Sequence, residues 1–291
     1  MSAGIPPQVI AAVLGAALLH ATWNALVKAR GSADAPADPQ PAAILVVLGG
    51  ALTSALLLPF MAAPLPASWP FIAASSATQC AYYLLLIEAY RHGDMSHAYP
   101  LMRGSAPLLV ALANGPLTGE TLRPGQWLAM CLICGGVLAM GLARAPQTAG
   151  TQRSATMFAL LTACVIALYT MIDGAGVRRS GAPAAYTMWI FLLTGLVLTA
   201  WTARRRRRAL IDAARARPLL LPVGGVSTVA SYGIALWAMT LAPVAAIAAL
   251  RETSILFATG IAALFLRERI GRARLLAVFL IACGAVAMRL A

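Results

Sequence analysis

Long apolar stretches joined by short polar or proline-rich links run the length of the chain. A helix needs roughly 20 apolar residues to span about 30 Å of hydrocarbon, and about ten stretches meet that requirement. They predict helices over residues 7–28, 42–62, 69–90, 97–117 and 124–142, then over 154–173, 184–201, 218–241, 244–266 and 272–290. The links are the kind that cannot build a core: GSADAPADPQP after helix 1, a turn punctuated by Pro64, Pro66 and Pro70, and APQTAGTQRS near the middle of the chain. The middle link divides the chain into residues 1–143 and 154–291, five helices each, with 144–153 as linker.

The halves repeat. Arg251 stands 148 positions after Arg103, and the same interval joins Glu268 to Glu120 and Gly284 to Gly136. An odd number of spans per repeat makes the second copy enter the bilayer with the opposite orientation. The expected fold is therefore an all-α membrane protein of ten transmembrane helices in two inverted five-helix repeats. Inverted repeats are typical of secondary transporters, whose substrate site lies near the midplane at the repeat interface.

Composition agrees with the pattern: of 291 residues, 60% are hydrophobic and 11% charged, and the mean hydropathy is +0.80. That is far from a soluble domain. The net charge of +13 comes from basic residues between apolar segments, without an aromatic–basic module, so the positive-inside rule explains it and no nucleic-acid partner is expected. Lys28, Arg30, Arg91, Arg144, Arg153, Arg204 to Arg208, Arg215, Arg217, Arg267, Arg269, Arg272 and Arg274 follow odd-numbered helices; only Arg123, Arg178, Arg179 and Arg289 fall on the other side. The count alone places the odd loops in the cytoplasm and both termini outside. The first stretch lacks the basic start and cleavage site of a secretory signal and is expected to stay as a helix.

Cys80, Cys131, Cys134, Cys164 and Cys283 all lie in apolar stretches, where they read as packing residues. Cys131 and Cys134 form a CxxC without further sulfur or a histidine cluster nearby, so neither metal nor redox chemistry is expected. No P-loop, HExxH or nucleophile elbow is present; no catalytic residues and no cofactor are expected.

Chemistry concentrates on charges inside the apolar segments, which are costly there and functional by default. Arg103 and Arg251 are candidates to face a pathway and bind an anionic group; the alternative is snorkelling or satisfaction by backbone carbonyls. Tyr99 shares the Arg103 face at four-residue spacing. Glu252 is placed to neutralise Arg251, to titrate in proton coupling, or to face another polar helix. Glu88 is the second candidate coupling acid, though its place near Arg91 reads as interfacial. His20, Trp23 and Asn24 share one face of helix 1, either as a polar wall or as packing glue with an interfacial tryptophan. Gln79, Tyr82 and Tyr83 on helix 3 correspond to Ser227, Ala230 and Ser231 on helix 8, with Tyr232 and Trp237 beside them, an aromatic and hydroxyl lining. Tyr169 of YTMIDGAGVRR on helix 6 joins that set. In the same segment Asp173 reads as a structural helix end, with Gly174 and Gly176 allowing a turn; Glu120 and Glu268 read as charged stops or turn-fixing contacts.

The segments LLHATWNALVKAR, GDMSHAYPLMRGSAPLLVALANGPLTGE, YTMIDGAGVRR and AALRETSILFATGIAALFLRER resemble the EamA-type transporters of the drug/metabolite transporter superfamily. The resemblance covers nearly the whole chain. Its motifs map onto Tyr99, Pro100, Arg103, Pro107 and Glu120 in the first copy, and onto Arg251, Glu252 and Glu268 in the second. Arg267 departs from the pattern by standing where Gly119 stands in the first copy. The resemblance implies a central cavity walled mainly by helices 1, 3, 4, 6, 8 and 9, and alternating-access movement of small metabolites, usually outward, across a bacterial inner membrane. It leaves the substrate open among amino acids and related metabolites, nucleotide sugars and drugs. It also places both termini in the cytoplasm, against the charge count.

The expected function is a secondary transporter exporting an amino-acid-like or other anionic or zwitterionic solute, with protons as candidate coupling ion, acting in the lipid bilayer as a monomer or homodimer. A cationic multidrug pump is the alternative reading, and a non-transporting scaffold, scramblase or complex subunit is the rival of another class.

Overall fold

The computed structural model describes residues 5–29, 40–92, 95–142, 149–264 and 271–291. They form α1 (Pro7–Ala29), α2 (Gln40–Leu57), α3 (Trp69–His92), α4 (Met95–Thr118), α5 (Pro124–Leu142), α6 (Ala149–Ser180), α7 (Pro183–Ala216), α8 (Gly225–Met239), α9 (Val244–Arg251), α10 (Ser254–Leu264) and α11 (Arg272–Leu290). Among the described residues there is no strand. Eight of the described helical segments are long and apolar enough to cross a membrane, α9 and α10 counting as one, and a shorter apolar segment covers Pro7–Thr22. The eight exclude α4, whose sequence is interrupted by Pro100, Pro107 and Pro116 and carries Arg103. Ten spans therefore require both α1 and α4 to cross.

Four elements differ from the sequence expectation, each for a local reason. The sixth helix does not stop at Asp173 but runs to Ser180, and it starts at Ala149, within the expected linker. Gly174 and Gly176 make room instead of turning the chain: a Cβ on Gly174 would lie 2.5 Å from Val244 Cγ2, and one on Gly176 would collide with the Tyr186 hydroxyl. The turn falls at Gly181, whose φ of +63° is the left-handed region that favours glycine. The seventh helix continues through the five arginines to Ala216, with one non-helical residue at Arg206 (φ −140°, ψ 39°), and Leu210 and Ala213 of this extension pack on Ala42 and Leu45 of α2. The eighth opens with a π-helical turn, Leu220–Gly224, around Pro222.

The ninth helix is broken. Glu252 N and Thr253 N donate to Ala249 O and Leu250 O at 3.0 and 3.1 Å, and the Thr253 hydroxyl donates to Leu250 O at 2.7 Å. These three-residue bonds separate α9 from α10 at the residue that carries the carboxylate.

Packing follows the repeat. α3 lies on α6 as α8 lies on α1, and α4 lies on α6 as α9 and α10 lie on α1. The remaining partners are corresponding helices of the two copies, α2 with α7 and α5 with α11. Gly136 and Gly284, the pair related by 148 positions, meet at the α5–α11 seam: a Cβ on Gly136 would lie 2.9 Å from Ala277 O, and one on Gly284 would lie 2.8 Å from Ala129 O. Small residues admit this approach where lipid supplies no hydrophobic drive between helices.

Candidate functional site

Arg103 on α4 and Glu252 at the α9–α10 break meet across the two halves. Arg103 Nε donates to Glu252 Oε2 at 2.9 Å, with the side chains 14% and 6% exposed. The arginine has the support its spacing predicts, its Cζ lying 5.9 Å from the ring centre of Tyr99 one turn earlier. Of the three roles open to Glu252, the structure gives it a polar partner on another helix. Arg251, next in line, takes no carboxylate among the described residues. Its Cζ stands 4.8 Å from the Tyr232 ring centre, a cation–π seat, and among the described residues its guanidinium donates no hydrogen bond. Tyr232 thus presents a cation whose donors remain available.

Behind this cation the aromatic residues of α3, α6, α7 and α8 form a chain of edge contacts. Ring centres are 5.0 Å apart for Tyr82 and Tyr83, 5.9 Å for Tyr82 and Tyr169, 6.5 Å for Tyr169 and Tyr232, and 5.9 Å for Phe191 and Tyr232. The hydroxyls of Tyr232 in this chain and of Tyr186 on α7 close on Asp173, which is fully buried. Tyr186 Oη donates to its Oδ1 at 3.1 Å, Tyr232 Oη to its Oδ2 at 2.5 Å, and Gln79 Nε2 approaches Oδ2 at 3.5 Å while donating to Ser75 Oγ at 3.2 Å. Asp173 was missed as a site residue because two glycines suggested a helix end there. Ending the helix at Arg178 and Arg179 instead would have placed the carboxylate more than a turn inside an apolar span, where an ionisable residue signals function.

The other predicted residues divide. His20, partly exposed, lies within the electrostatic reach of both Arg103 and Arg251. Asn24 donates to His20 O at 2.8 Å within its own helix, and the side chain of Trp23 lies outside the described residues. Ser231 donates to Ala16 O at 2.9 Å, tying α8 to α1. Trp237, 37% exposed, takes no part in the ring contacts among the described residues. Glu88 pairs at 2.8 Å with Arg91 and lies 3.7 Å from His92, at the end of α3, so the structure does not bring it to the Arg103–Glu252 pair. Glu268 lies outside the described residues.

Glu120 fixes a turn, but between the halves. It pairs with Arg178, accepts from the Val244 backbone at 3.1 Å at the start of α9, and accepts from Asn114 Nδ2 at 2.5 Å. Arg178 also donates to Met239 O at 2.8 Å and Ala242 O at 3.0 Å. Among the described residues no group of three His, Cys, Asp or Glu could hold a metal, and Cys131 is exposed while Cys134 is buried. An apolar crevice lined by Ala55, Leu58, Met61, Ala185 and Trp189 shares no residue with the charged cluster.

Comparison with known proteins finds the model of the EamA-like transporter family matching twice, at residues 8–142 and 153–290. No curated protein matches by sequence. A crystal structure of a protein to which this chain is 20% identical superposes with a TM-score of 0.77, over 97% of this chain and 96% of that one. At that identity the likeness concerns the fold.

Proposed function

The chain belongs to the EamA-like transporter family, and on that premise we propose that it is a secondary transporter exporting a small anionic or zwitterionic metabolite by alternating access. The reading takes the ten spans as two inverted repeats around a central cavity, in a bacterial inner membrane. One observation carries it: the guanidinium of Arg251 lies on Tyr232 without a hydrogen-bond acceptor among the described residues, beside a cross-half ion pair that occupies Arg103. A guanidinium matches a carboxylate with two parallel donors, which an ammonium cannot do. The tyrosines of α3, α6 and α8 suit the apolar part of an amino-acid-like solute.

Purified protein in liposomes, offered a panel of radiolabelled amino acids, small carboxylates and cationic drugs, tests this. Saturable flux is expected for at least one anionic or zwitterionic solute. A hydrogen bond to a charged group contributes about 1.5–3 kcal/mol, so Arg251→Gln should raise the half-saturation concentration by about tenfold or more, and Arg251→Lys should recover part of the loss. Flux of cationic drugs alone, unchanged in Arg251→Gln, would favour the multidrug reading. Absence of any saturable flux would favour a scaffold or scramblase.

A further inference from the structure

Charged groups inside a membrane protein face its interior or a water-filled cavity and commonly pair with one another, and the described carboxylates can be sorted by whether they have a cation. Glu252 has Arg103, Glu120 has Arg178, and Glu88 has Arg91, while Asp212 is exposed on the extension of α7. Asp173 is different. It is fully buried in α6 and its contacts are neutral: the hydroxyls of Tyr186 from α7 and Tyr232 from α8, and the amide of Gln79 from α3. Ser75 of α3 stands behind the amide as the acceptor of Gln79. The cation nearest in this arrangement, Arg251 of α9, stands against the ring of Tyr232 rather than against the carboxylate. On its own helix, Arg178 is held by Glu120 and two carbonyls. Among the described residues Tyr82 and Tyr83 of α3, Tyr169 of α6 and His20 of α1 are the other titratable groups of this cluster, and Arg103 of α4 is taken by Glu252.

Three donors offset part of the burial of this carboxylate without a counter-ion, and the rest is relieved, with no movement of a helix, when it takes up a proton. Tyr232 also ties its state to the proposed binding cation, because the same side chain bonds Asp173 through its hydroxyl and holds Arg251 on its ring. A solute anion that draws Arg251 off the ring removes positive charge from the neighbourhood of Asp173 and favours the protonated form, and loss of the proton favours return of Arg251, so proton and solute travel together and outward transport runs down the solute's own gradient. We infer that Asp173, rather than Glu252 or Glu88, is the residue that binds and releases the coupling proton, with Tyr232 as the positioning residue that links it to Arg251. The inference rests on the transporter reading, but protonation can be measured without transport.

Infrared difference spectroscopy of the full chain in phosphatidylcholine liposomes, titrated across about pH 9 to 5, is expected to show a carboxylic C=O band that grows on acidification, is absent from Asp173→Asn and is kept in Glu252→Gln. Tyr232→Phe removes a donor to the charged form and should move the midpoint to higher pH by about one unit, a readout that survives if Asp173→Asn folds poorly. In flux assays with the same solute panel, a one-unit pH gradient should sustain up to about a tenfold solute accumulation on the alkaline side in the wild type and none in Asp173→Asn. A band lost in Glu252→Gln and kept in Asp173→Asn overturns the assignment, as does a wild type with no titrating band. Gradient-driven accumulation intact in Asp173→Asn overturns its coupling role. A titrating Asp173 in a protein that moves no solute overturns the transporter reading and the coupling role with it, and leaves the protonation assignment standing.

Discussion

Arg103 and Glu252 are each other's answer to burial, and neither is tolerable alone. Breaking a buried ion pair by removing one partner costs about 3–5 kcal/mol, because the other charge is left without compensation, whereas removing both is often close to neutral. Arg103→Gln and Glu252→Gln should therefore each lower the melting temperature of the purified protein by several degrees, and the double variant should recover most of the loss. Additive losses in the double variant would mean that the two charges are satisfied separately. The cation side of this pair was legible in the sequence, since the repeat doubles an expensive intramembrane residue. Its carboxylate partner was not: adjacency in sequence suggested Arg251, and only the helix break after Arg251 turns Glu252 toward α4. Asp173 was hidden for a similar reason, because its donors come from α3, α7 and α8, helices whose relative placement no spacing within α6 encodes.

At the scale of elements, hydropathy locates helices well and their ends poorly. Apolar content stops at Trp201, yet α7 runs on through Arg204 to Arg208 because Leu210 and Ala213 still find α2 to pack on. The break between α9 and α10 falls on the polar run Arg251 to Ser254, which hydropathy reads as charges inside a single span because both sides are apolar. Glycines can be sorted by the space around them, and this gives a test of the α5–α11 seam. On Gly284 a Cβ would meet Ile133 Cγ1 at 2.6 Å and two backbone atoms, Ala129 O and Ile133 N, at 2.8 and 2.9 Å, so the helices must part. Overpacking of this kind costs about 1–3 kcal/mol. Gly260 in α10 has nothing within 4 Å of the same position, and alanine there should gain about 0.5–1 kcal/mol from helix propensity. Thermal melting should thus fall for Gly284→Ala and stay level or rise for Gly260→Ala; equal behaviour would remove the seam's close approach from the account of stability.

For the whole molecule the open quantity is parity, and it turns on α4, the long helix that falls short of the membrane signal of the others. α4 contributes Arg103 and Tyr99, and the polar residues and prolines that suit it to a site are what lower its claim to be a span. Yet α4 packs on α5, α6 and α9, and α1 on α8, α9 and α10, so both are placed inside the helical assembly rather than along its edge. The segment between α2 and α3 and the end of α7 are separated by α3, α4, α5, α6 and α7. If all five cross, the two positions face opposite sides; if α4 does not, they face the same side. Basic residues decide which side is which, with Arg204 to Arg208 at the α7 end drawing it to the cytoplasm. Arg178 on the other side weighs less than its charge suggests, since Glu120 and two backbone carbonyls occupy it. In a cysteine-free background, Ala62→Cys should react with an impermeant maleimide in intact cells, and Ala216→Cys only after permeabilisation. Reaction at both would take α4 out of the membrane and end the ten-span reading. The reverse pattern would keep the ten spans and put both termini in the cytoplasm, where family resemblance places them.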